Sequence, residues 1–302
     1  MRSMIGVDWG PNLFRAWRIG ADGAIRDRRF GTRGLLTVPD LRFADALREE
    51  LGRWIAGGED RVLICGPVAG SPGWRTGQTM PCPSPCGAAE LAAGLTDVPF
   101  DWAQVKLVPG IRHAGAETGS STTLSGEETW LIGAAAAIGG TGLLCMPGPI
   151  SCWARVESGR VTALTTYPTG EMFSALRAPM LGRVARDTPV YGPGFDRGVA
   201  LAAGPGGLLR QLAELRAEPA SPDAAACLFG LLVGHELRAA LTTQEEVHMV
   251  GPNDHVVLYT RAIGARAGTA LAPVADAAAI GLALIGGLAA WSSPPIARAP
   301  MV

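Results

Sequence analysis

An apolar run closed by an aspartate and then a glycine, as in Ile5-Gly6-Val7-Asp8-Trp9-Gly10, is a chemically useful arrangement. The carboxylate of Asp8 can hold a Mg2+ ion through water, and the N–H groups of a tight turn over Trp9 to Asn12 can meet phosphate oxygens. The same residues equally suit a plain hairpin that carries an aspartate. A second acidic feature, Gly126-Glu127-Glu128, opens an apolar run at helical spacing. Successive residues on a helix diverge by about 100°, so only one of the two carboxylates can point into a given cleft; a solvated acidic pair at a helix N-terminus is the alternative. Cys82 and Cys86 lie four apart in a Pro-rich segment, but no second Cys or His pair completes a four-ligand site. His113, His235, His248 and His255 form no constellation.

The elements that must position these groups follow from hydrophobic pattern and turn residues. Strands are expected over Met4 to Asp8, Leu13 to Ile19 and Ala24 to Phe30, joined by turns at Trp9 to Asn12 and Asp22-Gly23, which makes an antiparallel meander. Asp40 is expected to cap a helix on which Leu41, Ala44, Leu47, Leu51, Trp54 and Ile55 recur. Arg61 to Val68 and Val105 to Val108 read as core strands, and Ser125 to Ile138 as a helix. The opening pattern then returns: strands Leu143 to Met146, Cys152 to Val156 and Arg160 to Thr166, with turns at Pro147 to Ile150 and Ser158-Gly159. Such a repeat at the head of each half implies two similar α/β domains, residues 1–139 and 140–302, with a cleft between them. Beyond it, Ser221-Pro222-Asp223 precedes a helix over the apolar stretch Ala224 to Leu241. A strand Glu246 to Val250, a turn at Gly251 to Asp254, a helix His255 to Ala267, a strand Ala270 to Val274 and a helix from Asp276 complete a parallel α/β pattern.

Composition sets the bounds. The 302 residues carry 26 Lys and Arg against 27 Asp and Glu, a net charge of −1 that is too even for a chain that works by gripping a phosphate backbone. With 48% hydrophobic residues the chain can bury a large core, as one big domain or two ordinary ones. The uncharged stretch Leu131 to Ala154 is broken by Gly139, Gly140, Gly142, Pro147, Gly148 and Pro149, and the apolar run Ala277 to Trp291 is too short for a span, so no membrane segment is expected. Neither is a secretion signal. A cytoplasmic protein with six reduced cysteines is the expectation. Lys106 is the sole lysine.

Several motifs occur together in one order: Asp8-Trp9-Gly10 with Arg15-Ala16-Trp17; Gly73-Trp74 followed by Pro81-Cys82-Pro83; Val108-Pro109-Gly110-Ile111; Gly126-Glu127-Glu128-Thr129 with Leu131-Ile132-Gly133-Ala134; Met146-Pro147-Gly148 with Trp153; and Thr169-Gly170-Glu171. In these the chain resembles the 2-dehydro-3-deoxygalactonokinases over nearly its whole length. The resemblance implies an actin-like ATPase or sugar-kinase fold of two ribonuclease-H-like domains with an interdomain cleft. It also implies transfer of the ATP γ-phosphate to the terminal hydroxyl of 2-dehydro-3-deoxy-D-galactonate, with Mg2+. By the same resemblance Asp8 holds the metal and Glu127, with Glu128 second, takes the hydroxyl proton. Arg75 and Arg112 fall in loops that face the substrate, whose carboxylate a guanidinium fork fits; either can equally be a surface arginine. Trp74 packs on the sugar or on a neighbouring loop, and Glu171 completes the substrate-side set.

The nucleotide-facing turns depart from the family. Pro11-Asn12 and Pro149-Ile150 stand where such kinases place Thr or Ser, and proline offers neither hydroxyl nor N–H. Ile150 and Cys152 stand where the family has His and Lys ahead of Trp153, and Gly251-Pro252-Asn253-Asp254-His255 with Leu258-Tyr259 matches the adenosine segment only in part. The ATP grip is therefore either rebuilt on Gly10, Asn12, Gly148, Ser151, Gly251 and Asn253 or lost. The alternative function is a sugar-acid binding or regulatory protein that no longer transfers phosphate; a third reading is a kinase with another donor, such as polyphosphate. The sequence is compatible with a homodimer and with small-molecule partners only.

Overall fold

The computed structural model describes residues 2–70, 73–82, 86–114, 121–182, 190–218, 221–242, 245–251, 254–266 and 268–292. Its described residues divide into two compact units, one drawn from 1–141, 156–163 and 276–302 and the other from 142–155 and 164–275.

Unit 1 begins with the expected meander, β1 (Met4–Trp9), β2 (Phe14–Ile19) and β3 (Ile25–Gly31). Helix α1 (Phe43–Ala56) leads to β4 (Arg61–Cys65). Then come β5 (Thr79–Cys82), α2 (Ala88–Ala93), β6 (Thr96–Val98), β7 (Gln104–Leu107), β8 (Gly110–Ala114), β9 (Ser121–Leu124) and α3 (Glu127–Ala137). The main sheet has the order β3-β2-β1-β4-β7-β6, with β5, β8 and β9 forming a smaller one. β1 pairs antiparallel with β2 and parallel with β4. All six β1 residues are buried because both faces are covered. On one face Ile5, Val7 and Trp9 join Phe43, Leu47 and Leu51 of α1 in a single core. On the other, Gly6 lies against Leu282 of the last helix, α9 (Ala277–Leu288). That helix, read from the sequence in the second half, packs in unit 1, backbone to backbone with α3: a Cβ on Gly133 would lie 1.8 Å from the Ala277 carbonyl, and one on Gly281 2.0 Å from that of Thr129. The contact fixes the helix that carries Glu127 and Glu128.

Unit 2 contains β10 (Gly142–Met146), β11 (Ser151–Glu157) and β12 (Arg160–Tyr167), of which the outer parts of β11 and β12 belong to unit 1. Helices α4 (Thr169–Leu181), α5 (Pro193–Ala202), α6 (Gly207–Ala217) and α7 (Ala224–Ala240) follow, then β13 (Glu246–Met249), α8 (His255–Ala265) and β14 (Thr269–Leu271). The sheet order β12-β11-β10-β13-β14, with β10, β13 and β14 parallel, repeats the order β3-β2-β1-β4-β7 of unit 1. The repeated meander read from the sequence thus supplies three strands of a repeated five-strand order. Its core gathers Phe173, Phe195, Phe229 and Tyr259 around the buried faces of α5 and α7.

Local differences have local causes. Asp40 does not cap α1: it sits at φ 49° in a short 3-10 turn, and α1 starts after Arg42. The strand expected to reach Val68 stops at Cys65, because Gly66 takes φ 121°. All six cysteines are buried and none is in a disulfide. Among the described residues no helix is long and apolar enough to cross a membrane.

Candidate active site

β1 delivers Asp8 near its C-terminal end, where the residue is only 3% exposed. Antiparallel pairing places Arg15 directly opposite, and its Nη2 lies 2.8 Å from Asp8 Oδ2. Trp130 of α3 donates its indole N–H to the same oxygen at 2.9 Å. The Arg15 guanidinium also lies over the Trp130 ring, 4.9 Å from its centre. Burial pushes the Asp8 carboxyl up, against the pull of the Arg15 charge and both hydrogen bonds. Both partners sit on Oδ2, so with respect to the described residues Oδ1 is the oxygen left for a ligand.

Two glycines bring the acidic pair to this strand end. Gly66, just after β4, lies so close to β1 that a Cβ there would be 2.3 Å from the Trp9 carbonyl oxygen. Gly126, at φ 118°, lies on Gly66 in turn, where a Cβ would be 3.1 Å from the Gly66 Cα. Both have the left-handed backbone that glycine tolerates. The Asp8 turn, the end of β4 and the start of α3 are therefore stacked backbone on backbone.

On that stack the two glutamates differ. Glu127 is half-buried and accepts the Ser125 N–H at 2.8 Å. Glu128 is fully buried and accepts the Gly126 N–H with both oxygens, at 2.9 and 2.7 Å, and the Thr129 hydroxyl at 3.3 Å. Burial first, and the charge of Glu127 second, push the Glu128 carboxyl up to about 8. Cys65, paired with Asp8 in the β1–β4 register, feels the charges of both Asp8 and Glu128, and its thiol is pushed well up by burial.

A raised Glu128 has a consequence for stability. Between about 4.5, the ordinary carboxylate value, and about 8 the folded chain keeps a proton that the unfolded chain has released. This contribution is complete below that window and is lost as pH rises through 8. Glu128→Gln removes it. Unfolding free energies at pH 5 and pH 8 should therefore fall more steeply for the wild type than for the variant, by on the order of a few kcal/mol; parallel profiles would contradict a protonated Glu128.

The other expected site residues lie as follows. Gly10 donates its N–H to the Leu13 carbonyl at 2.9 Å, which closes the hairpin, and Asn12 is exposed at its tip. Trp74 is half-buried, stacked on Phe43 and edge-on to Phe100, so it packs on the core of unit 1. Arg75 is exposed and donates to the Asp97 carbonyl at 2.8 Å; Arg112 is exposed on β8. Bonds and packing thus join Asp8, Glu127 and Glu128, whereas Trp74, Arg75 and Arg112 make their contacts elsewhere. In unit 2 the turn holding Gly148 is capped by α4: Gly170 packs against the Gly148 carbonyl, and Glu171, itself exposed, donates its backbone N–H to the Pro149 carbonyl at 2.9 Å. Gly251 is buried at φ 103°, and Asn253 lies outside the described residues.

Ser151 does not present its hydroxyl to a ligand. It is fully buried, with Oγ 3.0 Å from Glu236 Oε2 and 2.9 Å from the Tyr259 hydroxyl. Glu236, 3% exposed, also accepts the Trp153 indole N–H at 2.8 Å, the Tyr259 hydroxyl at 2.7 Å and the Thr169 hydroxyl. Burial pushes its carboxyl up, opposed by these four donors. Sequence reasoning passed over Glu236, although it is the one acid in the apolar stretch Ala224 to Leu241, where an ionisable group must find partners.

The fold is that of the actin-like ATPases and sugar kinases. A Sinorhizobium meliloti crystal structure assigned as a 2-dehydro-3-deoxygalactonokinase superposes with a TM-score of 0.78 at 28% identity, covering 94% of this chain and 97% of that one. Component A of the (R)-2-hydroxyglutaryl-CoA dehydratase of Acidaminococcus fermentans shares the fold alone, with a TM-score of 0.52 at 13% identity over 94% and 97% of the two chains. The family described as DGOK, 2-keto-3-deoxy-galactonokinase, matches residues 8–285, and the chain belongs to it. It is 31% identical over 271 residues to the "Probable 2-dehydro-3-deoxygalactonokinase DgoK1" of Rhizobium meliloti (strain 1021), covering 85% of this chain and 87% of the relative. To the 2-dehydro-3-deoxygalactonokinase of Escherichia coli (strain K12) it is 25% identical, over 86% and 89%. It is thus a member of a family of carbohydrate kinases, which use ATP.

Proposed function

We propose that this chain transfers the γ-phosphate of ATP to the terminal hydroxyl of 2-dehydro-3-deoxy-D-galactonate in the cytoplasm, with Asp8 and Glu127 at the reacting centre. The observation that carries the reading is the stacking of Trp9, Gly66 and Gly126, which sets a buried aspartate and a partly accessible glutamate on adjoining backbone in a chain of this kinase family.

The residues fit a hydrated Mg2+. Such an ion asks for one or two carboxylate oxygens and takes the rest from water and phosphate, and among the described residues Asp8 has Oδ1 uncommitted while Arg15 and Trp130 fix Oδ2. The ion would be held by Asp8 and would supply charge neutralisation to the phosphates. Glu127, anchored by the Ser125 N–H, accepts the proton of the sugar hydroxyl. Glu128 keeps its proton and holds the backbone of Gly126, so it orients Glu127 without adding a second negative charge beside the phosphates. Arg75, Arg112 and Glu171, all exposed, are assigned to the sugar acid, with a guanidinium on its carboxylate, while Trp74 packs on Phe43 and Phe100. The turns at Gly10 to Asn12 and Gly148 to Ile150 are assigned to the nucleotide through backbone groups and Asn12, together with Gly251 and Asn253, and Ser151 braces the second turn from within. The division at residue 139 remains the frame of this reading, with α9 counted in the first unit.

A coupled assay for ADP release with ATP, Mg2+ and 2-dehydro-3-deoxy-D-galactonate tests it. Turnover that depends on all three is expected. Calorimetric binding of the sugar acid without ADP release would favour a binding protein instead.

A further inference from the structure

The structure assigns a positioning role to Glu236, as the carboxylate that ties the start of β11, the start of α4 and helix α8 into one frame behind the nucleotide-side turn at Gly148; the inference rests on the reading of that turn given above. The three segments are far apart in sequence. Ser151 directly follows the Gly148 turn, Thr169 is the first residue of α4, and Tyr259 lies on α8, one turn beyond the segment that starts at Gly251. A hydroxyl from each meets Glu236 Oε2, while Trp153, further along β11, holds Oε1. Four neutral donors around one acceptor-only group define its orientation.

The frame reaches the turn backbone through two further contacts. Thr169 fixes the start of α4, where Gly170 packs against the Gly148 carbonyl so closely that a Cβ would lie 2.6 Å from that oxygen, and Glu171 bonds the Pro149 carbonyl. Proline at 149 removes one N–H and one hydroxyl from the turn, so what remains to meet a phosphate is backbone, and backbone in a loop is only as well placed as its support. Glu236 supplies that support from below, without touching the ligand.

An amide at this position cannot do the same. In Glu236→Gln one oxygen becomes an NH2 group, and hydroxyls that donated to Oε2 face a donor, while size and shape are kept. The test measures the wild type, Glu236→Gln, Glu236→Asp and Tyr259→Phe by ADP titration calorimetry, by KM for ATP and for the sugar acid, and by thermal unfolding. Glu236→Gln is expected to weaken ADP binding and raise the ATP KM about tenfold, the scale of one lost hydrogen bond to a charged group. The sugar-acid KM should stay within about twofold, and kcat at saturating ATP should change less than the ATP KM does. Tyr259→Phe, which removes a single O–H, should weaken ADP about threefold and add little in combination with Glu236→Gln. Glu236→Asp, which keeps the charge, should restore part of the ADP affinity. If Glu236→Gln does not fold, Tyr259→Phe and Glu236→Asp carry the ADP comparison. Equal losses in both KM values, or lower thermal stability with ADP affinity unchanged, would overturn the positioning role and leave Glu236 a structural residue. A wild type that binds ADP but does not phosphorylate the sugar acid defeats the substrate reading alone, and one that binds no ADP defeats both.

Discussion

Replacing Glu127 with Gln is expected to lower kcat by about 10² to 10⁴, the range that a positioned general base contributes, while the sugar acid binds almost as before. The amide keeps the size of the side chain and can still accept the Ser125 N–H, so the start of α3 should hold its shape. What it loses is the ability to take a proton. Because phosphoryl transfer depends more on alignment and charge than on strong basicity, the loss should lie toward the lower end if Glu127 mainly orients the hydroxyl and toward the upper end if proton transfer is well advanced in the transition state. Steady-state kinetics together with calorimetry of the sugar acid separates kcat from binding. A variant with wild-type kcat would remove Glu127 from the reaction.

The second large effect is expected at Asp8. Asp8→Asn keeps an acceptor for the Trp130 indole N–H but removes the charge that faces Arg15 and puts an NH2 group in place of the oxygen left for Mg2+. The Mg2+ concentration for half-maximal activity should rise more than tenfold, with kcat down by at least about 10², since charge stabilisation is the main contribution a kinase site makes. Because burial raises the Asp8 carboxyl despite Arg15, the neutral amide should cost little stability at neutral pH, and Arg15, 22% exposed on its side chain, keeps some hydration of its own. Activity over a Mg2+ titration and a denaturant melt measure the two parts independently; unchanged Mg2+ dependence would place the ion elsewhere.

Much of this was legible in the sequence, and the reasons differ from element to element. The two meanders are readable because apolar alternation and Gly or Pro turns are local signals, and the pairing of Asp8 with Arg15 follows once the hairpin is closed by the Gly10 to Leu13 bond. Helix α7 announces itself by length and apolar content. Helices α4, α5 and α6 do not: Pro179 lies inside α4, Gly206 and Gly207 open α6, and their burial depends on α7, a partner that no window of sequence contains. The acidic pair was visible, but which glutamate is buried was not, since α3 is apolar on all sides and its phase is set by contact with α9. Gly66 carried no chemical signal at all. Its importance appears only when the Trp9 carbonyl is seen where its side chain would be. Ser151 shows the limit of analogy: a hydroxyl beside a phosphate turn invites a ligand role, yet burial and Glu236 claim it.

The central claim is that Asp8 and Glu127 serve one phosphoryl transfer, and single-turnover phosphorylation of 2-dehydro-3-deoxy-D-galactonate by the wild type, Asp8→Asn, Glu127→Gln and the double variant tests it most directly. Groups that act in the same step are non-additive, so the double variant should be no more than a few-fold slower than the slower single one. Losses that multiply in full, or a double variant that retains most of the wild-type rate, would contradict the account.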